Sequence, residues 1–234
     1  MPADDFVFPP APQASLAVQG TDARFPMRRI FCVGRNYEAH AREMGKDPTR
    51  EAPFFFTKPA DAALDTPCTI PYPPQTEDLH HEIELVIAIG KGGRNIAEAD
   101  VMDHVWGASV GIDLTRRDLQ AEAKKAGRPW DWGKAFDNSA PIAALKPIAD
   151  VPSVEQGRIW LAVNGEVRQD ADLADLIWSV REHVAILSQS MALAPGDIIM
   201  TGTPAGVAAL VEGDVVTGGV DGIATLEGTI GPRA

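Results

Sequence analysis

Glu82 and Glu84 lie two apart in the stretch HHEIELVIAIG at 80–90. Side chains alternate along a strand, so the two glutamates share a face with Cα atoms about 6.5–7 Å apart. Ile83, Leu85, Ile87 and Ile89 take the other face, and beyond Glu84 the glutamates' own face turns to Val86 and Ala88. A strand apolar on both sides is one covered on both sides. Two carboxylates held there repel each other unless positive charge lies between them. A third oxygen donor must come from another element, and Asp113 is the best placed. It closes the apolar segment VWGASVGI and stands ahead of the polar helix TRRDLQAEAKK, where a carboxylate meets the positive end of a helix. Three carboxylates, with no cysteine nearby and no histidine pair at zinc spacing, fit a hard divalent ion such as Mg²⁺ or Mn²⁺. Ca²⁺ fits less well without an EF-hand loop. His80 and His81 adjoin the cluster, but neighbours on a strand face opposite ways, so they do not ligate together. The cluster equally fits a structural salt-bridge network with arginines, and alternation alone does not separate the two readings.

Those residues need elements to hold them, and the punctuation of the chain is rich in strands. Segments 28–34, 53–58, 80–89, 105–113, 159–165, 197–202, 214–218 and 222–230 are each bounded by Gly, Pro or Asp. Asn164-Gly165 predicts a tight hairpin, because both central residues of a type I′ turn need positive φ. Helical patterns cover 36–44, about 98–104, 115–127 and 179–191; Gly127 and Pro129 stop the third, and Ser179 with Glu182 forms a capping box for the fourth. Residues 1–25, with Pro9, Pro10 and Pro12, read as an extended surface arm, and 26–234 as one catalytic domain without an internal linker. The expected class is α+β, β-dominated with a few flanking helices. With 234 residues, 45% hydrophobic, the chain can bury a substantial core. A net charge of −12 argues against nucleic acid or an anionic membrane as partner. No apolar run reaches membrane-spanning length, and the acidic, proline-rich start lacks the pattern of a secretory signal. Cys32 and Cys68, far apart in sequence, are expected as reduced thiols in a cytoplasm.

Taken in order, FCVGRNYEAHAREMG (31–45), FFFTKP (54–59), HHEIELVIAIG, GIDLTRRDLQ (111–120), KAFDNSAP (134–141) and GDIIMTGTPAGV (196–207) resemble the fumarylacetoacetate hydrolase family over nearly the whole chain. GTDARFPMRRIFCVGRNY and AKKAGRPWDWGKAFDNSAP are similar to its bacterial branch acting on fumarylpyruvate. The resemblance implies a mixed β-sandwich roll, a Mg²⁺ or Mn²⁺ cofactor, a small 2,4-dioxo-acid substrate and a homodimer, for which the apolar FVFPP segment suits an interface. It places the metal ligands on Glu82, Glu84 and Asp113. It places the family's lysine on Lys134 and its glutamine on Gln120; Arg117 matches the R-D arginine, and Arg116 has the reading of a solvent-facing neighbour. His40 and Glu43, three apart, share one face of a helix. By themselves they read as a surface pair or as a water-activating pair, the carboxylate stabilising the imidazolium formed when the histidine takes a proton. The resemblance favours catalysis on a segment that closes over the substrate, with Gly34-Arg35-Asn36 as a hinge-like start and Arg35 as a nearby cation. Thr201-Gly202-Thr203-Pro204 is by itself a turn signal whose hydroxyls and glycine can hold a carboxylate or oxyanion. The family counterpart lines the active site, with Thr203 the better placed. Related acylpyruvases, oxaloacetate decarboxylases and isomerases of dienoic oxo acids share the same core, and a non-catalytic metal-binding module is the remaining alternative.

Overall fold

Every residue of the strand Ile83–Ile89 is buried in the computed structural model, which describes residues 6–43 and 51–233. Its two faces enter different cores: Ile83, Leu85, Ile87 and Ile89 join the larger one, Val86 and Ala88 the smaller. Each large aliphatic side chain buried in this way stabilises by roughly 1.5–3 kcal/mol. That contribution offsets the cost of holding carboxylates in the same stretch.

The strand lies inside an eight-stranded mixed sheet. In spatial order this runs Phe54–Lys58, Arg29–Gly34, Asp197–Met200, Ile83–Ile89, Val105–Ile112, Ala140–Ile142 and Ala63–Asp65, with Lys146–Pro147 also paired to Val105–Ile112. Asp197–Met200 runs parallel to Arg29–Gly34, whereas Ile83–Ile89 is antiparallel to both of its neighbours. A five-stranded sheet, Glu166–Asp172, Arg158–Val163, Val215–Val220, Ala224–Arg233 and Cys68–Tyr72, supplies the opposing wall of the larger core through Leu161, Val216 and Leu226. Asn164 and Gly165 both take positive φ at the expected hairpin. Helix Arg117–Ala126 ends on Gly127 at φ 63°, and helix Val180–Ser190 has both bonds of the Ser179/Glu182 capping box. Segment Glu98–His104 is a 3-10 helix.

The smaller core corrects the reading of the first residues as a surface arm. Ser15–Val18 and Thr21–Pro26 form a hairpin, and Leu16, Val18 and Phe25 are buried against Val86, Ala88, Ile198 and Met200. The hairpin is thus part of what covers the second face of the glutamate strand. Its alternation spans four residues in the first strand, too short to stand out beside the prolines. Phe6, Val7 and Phe8, ahead of it, are exposed.

His183, on helix Val180–Ser190, is fully buried, with Nδ1 facing the Trp178 carbonyl oxygen at 3.3 Å. Burial lowers its pKa from 6.5 to about 4. Between those values the unfolded chain binds a proton that the folded chain refuses, so stability falls as pH drops from about 6.5 to about 4, by roughly 3 kcal/mol in total. Denaturant unfolding of wild type and His183→Asn, which keeps a donor toward Trp178, at pH 7, 5.5 and 4.5 isolates this contribution: the wild type should lose stability relative to the variant as pH falls.

Candidate metal and active site

Backbone pairing brings the three carboxylates together. Ile83 pairs with Ile112 and Glu84 with Gly111, and the Asp113 N–H donates to the Glu82 carbonyl at 2.8 Å. Gly111 fits tightly opposite Glu84: a Cβ there would press on Ile142, Val86 and Pro141 at 3.0–3.2 Å. One ligand oxygen from each of Glu82, Glu84 and Asp113 lies within 4.8 Å of the others, and all three residues are buried.

Cations are shared unequally among them. The Lys134 ammonium bridges Glu82 Oε2 at 2.8 Å and Asp113 Oδ2 at 2.6 Å. Arg117 bonds Glu82 Oε1 and, through its other terminal nitrogen, Gln120 Oε1 at 2.8 Å. Lys58, itself fully buried, stands 2.9 Å from Asp113 Oδ1 in an ion pair that is not aligned as a hydrogen bond, and it donates to the carbonyls of Leu114 and Lys134. Burial alone would raise the Glu82 carboxyl, but Lys134 and Arg117 hold it well below the usual carboxylate range. Burial works against the charged form of Lys134 too, and Asp113 and Glu82 more than restore it. For Lys58 burial prevails over Asp113 and lowers its pKa.

Glu84 differs. Among the described residues it makes no ion pair, and its one hydrogen bond comes from the Gly202 N–H at 2.8 Å. Burial and then the Asp113 and Glu82 carboxylates push its pKa well above the ordinary value. A closed salt-bridge network would give each carboxylate a cation. This one leaves a buried, crowded carboxylate that a divalent ion would relieve, so the donor set fits Mg²⁺ or Mn²⁺.

Of the other sequence-predicted residues, Arg35, His40, Arg117, Gln120, Lys134 and Thr203 line the same cavity as the three carboxylates, and Glu43 stands behind His40 without lining it. A larger cavity of about 570 Å³, lined by Tyr37, Arg42, Asp175 and Pro204 among others, touches none of the three. His40 and Glu43 lie on helix Glu38–Glu43, with Nδ1 3.1 Å from Glu43 Oε2. The Gly206 N–H donates to both Glu43 oxygens, to Oε1 at 3.1 Å and to Oε2 at 3.3 Å. Gly206 has φ +96°, and a Cβ there would collide with the Arg168 carbonyl. Met44 and Gly45, which the segment comparison included, lie outside the described residues.

Gly34 does not act as a free hinge. It is paired with Phe54 in the sheet, and a Cβ on it would strike the Phe54 ring. The turn into the helix is made instead by Arg35 at φ 56° and by buried Asn36, whose side chain bonds both backbone groups of Trp178 and the Thr201 carbonyl at 2.8–2.9 Å. Arg116 lies over the Phe136 ring, 4.4 Å from its centroid, away from the carboxylates.

Four participants carry no sequence reading as site residues: Lys58, Lys124, Asn36 and Gln169. Lys124 lines the cavity with its ammonium 4.8 Å from the Trp130 ring centroid, and burial together with nearby Arg117 lowers its pKa to about 8. Lys58 had a signal, a lysine ending the apolar run Phe54-Phe55-Phe56, but its partner is 55 positions away in sequence at Asp113.

Comparison with known proteins identifies the family. Residues 29–231 match the family model of the fumarylacetoacetate (FAA) hydrolase C-terminal region. A fumarylpyruvate hydrolase from Ralstonia sp. is 45% identical over 186 residues, 80% of this chain and 96% of that protein. A mitochondrial oxaloacetate tautomerase from Bos taurus is 40% identical over 86% of this chain and 90% of its own length. The crystal structure of fumarylpyruvate hydrolase from Pseudomonas aeruginosa in complex with Mn²⁺ and pyruvate superposes with a TM-score of 0.95 at 49% identity, covering 98% of this chain and all of that one. With a matching family model across most of its length, the chain belongs to the fumarylacetoacetate hydrolase family.

Proposed function

We propose that this chain is a Mg²⁺- or Mn²⁺-dependent hydrolase that cleaves a carbon–carbon bond in a 2,4-dioxo acid, converting fumarylpyruvate and water to fumarate and pyruvate. The observation that carries the reading is the meeting, in one cavity, of three convergent carboxylates with a histidine already bonded to a carboxylate. Glu82, Glu84 and Asp113 would hold the ion, which when bound draws charge from the 2-oxo-acid end and lowers the barrier to enolate departure.

The remaining steps belong to side chains of this protein. Glu43 accepts from His40 Nδ1–H, which leaves Nε2 as the ring atom that takes a proton from water. The water oxygen bonds to the distal carbonyl carbon, and Thr203 donates to the oxyanion that forms. The bond between that carbon and the methylene breaks, its electron pair passing to the pyruvate enolate, which takes the proton that His40 Nε2 received from water. With an ion to neutralise Glu82 and Asp113, Lys134 would be free to offer its ammonium to the pyruvoyl anion, and Gln120 steadies Arg117 beside it. Arg35, Arg117 and Lys124 supply positive charge for the far carboxylate. The protein works as a homodimer in the cytoplasm, in the breakdown of aromatic compounds; the exposed Phe6, Val7 and Phe8 supply apolar surface for an interface.

Oxaloacetate chemistry is the second reading, favoured by the tautomerase relative. Ultraviolet assays on fumarylpyruvate, acetylpyruvate and oxaloacetate, with Mg²⁺, Mn²⁺ or chelator, separate the two. Cleavage of fumarylpyruvate fastest of the three, and abolished by chelator, is expected. Oxaloacetate conversion with no cleavage of either acylpyruvate would overturn the hydrolytic reading.

A further inference from the structure

Behind Thr203 lies a fully buried glutamine from the opposite sheet, Gln169, whose side-chain amide has all four of its hydrogen-bonding positions filled. Its Oε1 lies 3.1 Å from the Ile83 N–H and 2.9 Å from His81 Nδ1. Its Nε2 lies 2.8 Å from the Pro204 carbonyl and 2.8 Å from Thr203 Oγ1. Two of these partners have fixed polarity. A backbone N–H can only donate and a carbonyl can only accept, so Ile83 and Pro204 together settle which end of the amide is oxygen and which is nitrogen. His81 must then donate through Nδ1, and the second amide proton must point at Thr203.

A hydroxyl that accepts from Gln169 keeps its own proton for another partner. Among the described residues Thr203 Oγ1 has no other hydrogen bond, and Thr203 lines the cavity that holds the three carboxylates. We infer that Gln169 is a positioning residue: it fixes the polarity of the Thr203 hydroxyl, making it a donor aimed into the active site. The sheet is built to place it. Strand pairing slips between Leu161 and Ala162, leaving Arg168 as an extra residue beside Gln169, and such bulges re-aim side chains next to sites. Gln169 also joins the five-stranded sheet to Ile83, the residue between Glu82 and Glu84, so donor and ion-binding groups are held in one frame.

The inference rests on the hydrolytic reading for the identity of the group that receives the proton. Its test is a double-mutant cycle in the Mn²⁺-loaded enzyme. Thr203→Val should lower kcat about 100-fold, the usual loss for one oxyanion donor. Gln169→Glu keeps the shape but turns the nitrogen into an acceptor, drawing the Thr203 proton away from the substrate, and should lower kcat about as much with KM changed less. In the Thr203→Val background the same change should cost less than threefold, because no hydroxyl is left to misdirect. Losses that multiply, with Gln169→Glu as damaging without the hydroxyl as with it, would overturn the inference. Gln169→Leu, which neither donates nor accepts, is the second variant should the glutamate impair folding; it should be milder than Gln169→Glu and equally silent in the Thr203→Val background. A neutron structure of the deuterium-exchanged wild type reads the same point without turnover. The Thr203 deuteron should point away from Gln169, and a deuteron lying between Oγ1 and Gln169 would refute the inference. A failure of the hydrolytic reading shows separately, as a wild-type enzyme that does not cleave fumarylpyruvate.

Discussion

Replacing Glu84 with glutamine is expected to abolish turnover and Mn²⁺ binding while raising the thermal midpoint of the metal-free protein. The two effects have opposite signs because Glu84 is the carboxylate that, among the described residues, makes no ion pair. It is buried beside Glu82 and Asp113, and the Lys134 ammonium, which makes no ion pair with it, and the Gly202 N–H offset their repulsion only in part, so its pKa is pushed well above the ordinary value. A glutamine amide oxygen still accepts from Gly202, and the new NH₂ donates toward acidic neighbours, so the exchange removes a buried like-charge repulsion worth about 1–3 kcal/mol. In a chain of this size that is several degrees in Tm. Glu82→Gln and Asp113→Asn should do the reverse. Each leaves a buried ammonium or guanidinium short of its counter-charge, Lys134 and Arg117 in one case and Lys58 and Lys134 in the other, at a cost of about 3–5 kcal/mol. Calorimetric melting with and without Mn²⁺ checks all three. Wild type should gain about 2.7 kcal/mol at an ion concentration one hundred times Kd, and no variant should gain. A Glu84→Gln protein still stabilised by Mn²⁺ would remove that residue from the ligand set.

The second large effect is on the water. His40→Ala should lower kcat for fumarylpyruvate by about 10²–10⁴-fold, the usual contribution of a positioned general base, and leave Mn²⁺ affinity unchanged. Glu43→Gln is the finer probe. The amide oxygen can still accept from His40 and, through the 3.3 Å contact, from Gly206, so the pairing with His40 is kept while the negative charge that favours the imidazolium is lost. Its kcat should fall less than in His40→Ala, with KM nearly unchanged. An exposed i,i+3 pair without a role in catalysis would leave kcat within twofold in both variants. Titration calorimetry with Mn²⁺ alongside the kinetics separates loss of base from loss of the ion.

What was legible in the sequence follows from range. Alternation along 83–89 and its two-sided burial are properties of one strand, and they stand as read. So do the turn at Asn164-Gly165 and the cap at Ser179, which depend on neighbours within three residues. The hairpin at 15–26 was missed because its apolar face becomes a face only against Ile198 and Met200, far along the chain. Lys58 and Gln169 were missed for the same reason. Each acts through partners 55 or more and 34 or more positions away, Lys58 on Asp113 and Gln169 on Thr203, His81 and Ile83, and neither belongs to a local spacing pattern. The unequal sharing of cations is likewise a property of the assembled site. Alternation alone leaves an ion site and a salt-bridge network as equal readings, the family resemblance favours the ion, and the lack of an ion pair at Glu84 among the described residues agrees with that choice.

The central claim is that Glu82, Glu84 and Asp113 hold one divalent ion. Anomalous diffraction from crystals grown with Mn²⁺ tests it most directly. A single peak within about 2.1 Å of one oxygen from each side chain, with the Lys134 ammonium displaced from its bridge, is the result this account predicts. Absence of a peak there, with Lys134 still spanning Glu82 and Asp113 at 2.8 and 2.6 Å, would contradict it.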